Sequence, residues 1–202
     1  MNEEKQDKLL NIKTCGVQKE FNESLHYNRY EPTSYLALNE LFKNFNISSA
    51  DSIIDFGCGK GRLNFYAHYN FGAHVTGIEM NTFYYKEALE NTSSYFKKHP
   101  NNTDRISFIN CYAQDYEIKN NDNIFYFFNP FSVQIFMSVV ENILLSVDKC
   151  YRKVHIILYY PSDDYTYYLE NCTFFKLTKE IRLENLYHKD NRQKMLIYTL
   201  EY

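Results

Sequence analysis

Ile53-Ile54-Asp55-Phe56-Gly57-Cys58-Gly59-Lys60-Gly61-Arg62-Leu63 reads as a short apolar β-run that ends in an acid, then passes through a glycine-dense turn into a helix. The chain has only six glycines, and five of them (Gly57, Gly59, Gly61, Gly72, Gly77) fall between this turn and the end of the next strand. Glycine has no Cβ, so it suits positive φ and backbone that another group approaches closely. Its concentration after one strand points to a turn that holds a ligand. The spacing excludes the two common phosphate motifs. A dinucleotide fingerprint G-x-G-x-x-G would place its third glycine where Arg62 stands. A P-loop needs Lys followed by Ser or Thr after its last glycine, and here Arg62 and Leu63 follow Gly61.

The next strand carries a second signal. His74-Val75-Thr76-Gly77-Ile78 is a short β-type run that ends in Glu79, 18 positions beyond Gly61. An acid at such a strand end can accept hydrogen bonds from both hydroxyls of a ribose. Met80 follows it, a polarizable apolar side chain able to lie on a purine face.

Taken together, Asp55-Phe56-Gly57-Cys58-Gly59-Lys60-Gly61 and Glu79-Met80 resemble the first two motifs of the class I S-adenosylmethionine (SAM)-dependent methyltransferases. The resemblance extends from about residue 51 to the C-terminus. It implies an α/β fold: a three-layer Rossmann-like sandwich around a seven-stranded, mostly parallel sheet whose last strand is antiparallel, with an N-terminal helical cap. It implies SAM as cofactor, with Asp55 opposing the ligand's positive charge and Glu79 on the ribose. Gly57, Cys58, Gly59, Gly61 and Met80 line the same site by this resemblance, as do Gln114 and Asp115 after the third strand. Tyr30 and Thr33, with Tyr27 and Tyr35, are expected to reach the SAM carboxylate and the substrate from the cap.

Phe127-Phe128-Asn129-Pro130-Phe131-Ser132, at the end of the fourth strand, resembles the Asn/Asp-Pro-Pro-Tyr/Phe motif of amino-group methyltransferases. There the Asn or Asp side chain and the next carbonyl accept from the target nitrogen. Carried over, Asn129 touches cofactor and acceptor, and Asn129 and Phe131 form the catalytic pair. This chain has Phe131 in place of the second proline and Ser132 in place of the aromatic. The alternative is a strand-to-helix turn with Ser132 as N-cap and Phe131 in the core.

The remaining pattern alternates strands and helices. A helix is expected after Pro32 through Leu36, Leu38, Leu41, Phe42 and Phe45, and another over 82–98, stopped at Pro100. Strands are expected at Ile106–Ile109, Asn123–Phe128 and Val154–Tyr160, with helices at Val133–Asp148 and 162–171. Two β-runs, Phe174–Glu184 and Lys194–Glu201, flank the polar turn His188–Arg192 and must pair antiparallel. Alternation of this kind argues for a parallel sheet with helices on both faces. The division is a cap over 1–50, covering the cofactor pocket, and a methyltransferase domain over 51–202.

Composition narrows the function. At 202 residues and a net charge of −3, the composition argues against a sequence-blind nucleic-acid binder, which would normally show a basic face. A small-molecule or protein acceptor is therefore favoured over nucleic acid. The five cysteines show no C-x-x-C and no paired histidine spacing, so neither a disulfide frame nor a metal site is expected. Met1-Asn2-Glu3-Glu4-Lys5 is charged, and no apolar run is long enough to span a membrane. A cytoplasmic protein, monomeric or weakly homodimeric, is the expectation. His26 and His155 read as structural, because methyl transfer needs a positioned nucleophile more than an acid–base histidine. The sequence leaves two functions open. One is methyl transfer to a nitrogen or oxygen nucleophile; the other is a catalytically silent, methyltransferase-like SAM-binding or scaffold subunit.

Overall fold

The protein is described by a computed structural model covering residues 2–16, 28–101 and 103–201. In chain order its elements are helices α1 (Glu3–Leu10) and α2 (Tyr35–Asn44), strand β1 (Ser52–Phe56), α3 (Arg62–Phe71), β2 (His74–Ile78), α4 (Thr82–Lys98), β3 (Ile106–Ile109), β4 (Ile124–Phe127), α5 (Val133–Lys149), β5 (Val154–Tyr159), α6 (Asp163–Cys172), β6 (Lys176–Arg182), the short α7 (Glu184–Tyr187) and β7 (Lys194–Leu200). The strands form one sheet in the order β3-β2-β1-β4-β5-β7-β6. All neighbouring pairs from β3 to β5 are parallel, and β7 runs antiparallel between β5 and β6. This is the expected α/β arrangement, with its chain order reversing on either side of β1.

Local chemistry sets the element ends. Asn81 caps α4 by accepting from the backbone N–H groups of Phe83 and Tyr84, and α4 ends just before Pro100, which disfavours helix in the residue ahead of it. Ser34 caps α2 by accepting from the N–H of Ala37, so Pro32 lies two residues before the cap. Ser132 occupies the N-cap position of α5, but its hydroxyl makes no capping bond there. The run expected to be strand up to Glu184 stops at Arg182, and α7 intervenes before the turn.

Period-two alternation divides the core between the two faces. Ile53, Ile124, Tyr126, Ile157 and Tyr159 face a cluster built with Leu38, Leu41, Phe65 and Tyr95. Ile54, Phe56, Phe125, Phe127, Ile156 and Leu158 face another built with Phe136, Val140, Ile143 and Leu169. Asp55 therefore points to the same face as Ile53, toward α3. Its register neighbours there are Gly77 on β2 and Tyr126 on β4. The N-terminal helices add Leu10, Tyr35, Leu38 and Leu41 to that same cluster.

Candidate active site

The site lies at the carboxyl ends of β1, β2 and β4, where ligands settle in open α/β sheets. A cavity there encloses about 860 Å³ of empty space, its mouth included. Its walls bring together Asp55, Gly57, Cys58, Glu79, Met80, Tyr30, Thr33 and Phe131 from the sequence expectations. They also include Tyr84, Tyr126, Phe128 and Ala113, which had not been singled out. Gln114, Asp115, Asn129, Gly59 and Gly61 are not among the lining residues. Tyr27 lies outside the described residues.

Asp55 is the centre of the electrostatics. It is 5% exposed, and among the described residues its carboxyl has no hydrogen-bond or ion-pair partner. Desolvation, reinforced by the charge of Glu79, pushes its pKa up to about 8. Glu79 is 8% exposed. One oxygen accepts from the N–H of Gly59 at 2.9 Å, the other from that of Asn81 at 2.8 Å. Burial raises its pKa, opposed by those two bonds. Each oxygen keeps a second lone pair for a ligand hydroxyl, so Glu79 both ties down the glycine turn and remains able to bind. Burial and the two neighbouring acids raise the Cys58 thiol, which leaves it a small neutral wall residue.

The glycines serve the protein's own packing more than the sequence suggested. Gly59 has φ +54°, and a Cβ there would come within 2.2 Å of the Tyr30 ring. Gly61 has φ +83° as N-cap of α3, and a Cβ there would meet Phe108 at 2.5 Å. Tyr30 thus packs closely against the turn. It stacks on Tyr84 at 4.7 Å and donates its hydroxyl to the Thr14 carbonyl at 2.9 Å. Thr33 pairs with the Tyr126 hydroxyl at 2.8 Å. The segment 28–33 crosses the cavity and is held on the far side by Asn28, whose amide donates to the Asn129 carbonyl at 2.6 Å and whose N–H donates to that of Pro130 at 3.0 Å.

Asn129 carries φ +41°, a left-handed conformation that Asn tolerates better than most residues. Phe131 is buried, edge-on to Phe127 at 6.0 Å, and its carbonyl accepts from Tyr165 at 2.5 Å. Phe131 therefore serves both the core and the cavity wall.

Arg62, noted in the sequence only for excluding a dinucleotide motif, organises the N-terminal segment. At 4% exposed, it donates to Thr14 at 2.7 Å, to the Thr33 carbonyl at 3.3 Å and to Glu3, and it stacks over Tyr35 at 4.6 Å. Beside it, Asp7 accepts from Thr14, Cys15 and Tyr35. No local pattern marks this network, because its members are brought together across some sixty residues of chain. Tyr126 did carry a usable signal. Once β4 is placed beside β1, its alternation with Ile124 puts it on the face of Asp55.

Residues 47–191 match the sequence profile of a family described as a methyltransferase domain. The chain belongs to the class I methyltransferases. Similar solved structures include an RNA methyltransferase from Salinibacter ruber with bound S-adenosylhomocysteine (SAH), at 15% identity over 84% of this chain and 92% of that one, TM-score 0.53. A SAM-dependent methyltransferase from Thiobacillus denitrificans matches at 11% identity over 84% and 91%, TM-score 0.54. Another from Geobacter sulfurreducens matches at 13% over 83% and 91%, TM-score 0.55. No curated protein matches the chain significantly. Among the described residues of this methyltransferase, no helix is long and apolar enough to cross a membrane.

Proposed function

We propose that this methyltransferase transfers the methyl group of SAM to a nitrogen or oxygen nucleophile, with a small molecule or a protein favoured over nucleic acid as acceptor. The observation that carries the reading is Asp55: a desolvated carboxyl without a partner among the described residues, on the wall of a cavity beside the glycine turn. Burying such a group is costly unless it finds a partner, and the positive charge of SAM supplies one. Glu79, with lone pairs left beyond its two backbone bonds, would take the ribose hydroxyls. Met80 and Phe131 offer apolar surface for the adenine. SAM supplies a methyl carbon already activated by its sulfonium. What remains for the chain is to hold the nucleophile in line and to exclude water, which by itself can supply several kcal/mol of the barrier reduction. Segment 28–33 with Tyr30 and Thr33 covers the cavity for the second task. Asn129, at the end of β4, would present its side chain or its carbonyl to the acceptor.

The test is cofactor selectivity. SAM and SAH should each raise the melting temperature through binding to the native state, and NAD should leave it unchanged. A shift with NAD and none with SAM or SAH would refute the assignment.

A further inference from the structure

If SAM takes the β1–β2 end of the cavity, the acceptor must enter at the carboxyl ends of β4 and β5. The side chains there are aromatic. Phe128 follows β4, lines the cavity and is only partly buried. Its ring meets Tyr159 at 4.4 Å and stands edge-on to Tyr160 at 6.4 Å. Tyr160, like Asn129, has a positive φ, at +52°. Among the described residues, the two non-glycine residues of left-handed conformation that follow strands thus lie just past the adjacent β4 and β5.

The charges at this end are unbalanced. Arg192 lies over the Tyr160 ring at 4.3 Å and is paired with Asp190 at 3.4 Å, and Asp190 also accepts from the Tyr160 hydroxyl at 2.5 Å. That cation is therefore already answered. Arg62 is committed to Glu3 and its neighbours. Arg29 also lines the cavity, but it has contacts of its own. Glu31 lines the same cavity, and its charge acts on both Tyr159 and Tyr160. Among the described residues Glu31 has no ion pair or hydrogen bond. Aromatic faces beside an unanswered carboxylate favour a cation by cation–π and Coulomb attraction.

Resting on the methyl-transfer reading above, we infer that the acceptor is an organic amine with an apolar or aromatic body, seated on Phe128 with its nitrogen toward Glu31. The amine is drawn in as its ammonium form and loses a proton to water at the exposed mouth. The freed nitrogen lone pair then bonds to the methyl carbon while the carbon–sulfur bond breaks, its electron pair remaining on sulfur. The products are the N-methylated ammonium and neutral SAH.

The test uses the full chain saturated with SAH, so that no turnover occurs, and calorimetry with three probes of one body and different heads: 2-phenylethylamine, 2-phenylethanol and 3-phenylpropanoate. A peptide with a single lysine and blocked ends forms a fourth arm, separating a free amine from a lysyl side chain. The amine head, free or lysyl, should bind at least tenfold more tightly than the alcohol or the carboxylate. Glu31→Gln should remove most of that preference without changing SAH affinity. Phe128→Ala should weaken all the phenyl probes several-fold. Equal or tighter binding of the alcohol or carboxylate overturns the inference, as does an undiminished preference in Glu31→Gln or no binding of any amine while SAH is bound. Failure of SAH itself to bind would instead overturn the methyl-transfer reading.

Discussion

Replacing Asp55 by Asn turns the buried carboxyl into a measurable pH dependence. In the unfolded chain this group titrates near 3.8, and in the cofactor-free fold near 8. Below the first value both states are protonated, and the group adds no pH dependence. Between the two, the unfolded chain has released a proton that the fold retains, so rising pH favours unfolding by up to about 1.4 kcal/mol per pH unit. Above about 8 the loss is complete and constant. Between pH 5 and pH 9 the wild type should therefore lose up to roughly 4 kcal/mol through this one side chain. Water entering the open cavity reduces that to about 2–4 kcal/mol, since effective dielectrics at such sites are well above those of a dry interior. Asn has nearly the same shape and no proton to lose. Urea unfolding of the cofactor-free protein should show Asp55→Asn gaining about 2–4 kcal/mol on the wild type at pH 9 relative to pH 5. An identical difference at both pH values would show that Asp55 titrates normally, and the argument that it awaits a cationic ligand would fall with it.

Substitutions at three other positions probe the site. Glu79→Ala should weaken SAM and also lower stability by roughly 1–3 kcal/mol, because two backbone N–H groups lose a charged acceptor; a fully stable variant in denaturant titration would deny its hold on the glycine turn. Asn129→Ala should cost about 1 kcal/mol in left-handed strain while Asn129→Gly costs little. If Asn129 acts only through its backbone, Asn129→Gly keeps full turnover; a loss of about 10²-fold with SAM affinity intact would mark the side chain as a positioning group. Arg62→Met should cost roughly 2–4 kcal/mol by removing the cation beside buried Asp7 and its half-buried neighbour Glu3, seen as a melting temperature lower by about 10 °C; an unchanged melting temperature would show that the network is dispensable.

Much of the sheet was legible because its signals are local. β2, α4 and β3 fall where their apolar runs, the Asn81 cap and Pro100 place them, and the antiparallel end followed from two β-runs with too little chain between them for a crossover. The glycine turn was read correctly in place but incompletely in cause. Its backbone approaches, at Gly59 and Gly61, are made by Tyr30 and Phe108, side chains far off in sequence. Glu79 reads from sequence as a ligand acceptor or a helix-start acid, since nothing in sequence reveals that Gly59 and Asn81 turn their N–H groups toward it. Arg62 was invisible for the same reason: a buried cation is recognised by its partners, and Glu3, Asp7, Thr14 and Thr33 meet it only after folding.

The strand order also constrains how the sheet can be completed. β6 pairs with β7 alone, while β7 is the partner of β5. Until residues 194–200 arrive, β6 has no neighbour, and Val154–Tyr159, paired with β4 on one side, leaves its other row of backbone groups open beside the apolar side chains of that strand. An open edge of that kind is a template for pairing with another chain. Chains in which β7 has not docked should therefore stick to one another through β5, and the safe folding of this protein hinges on the timely docking of that one strand.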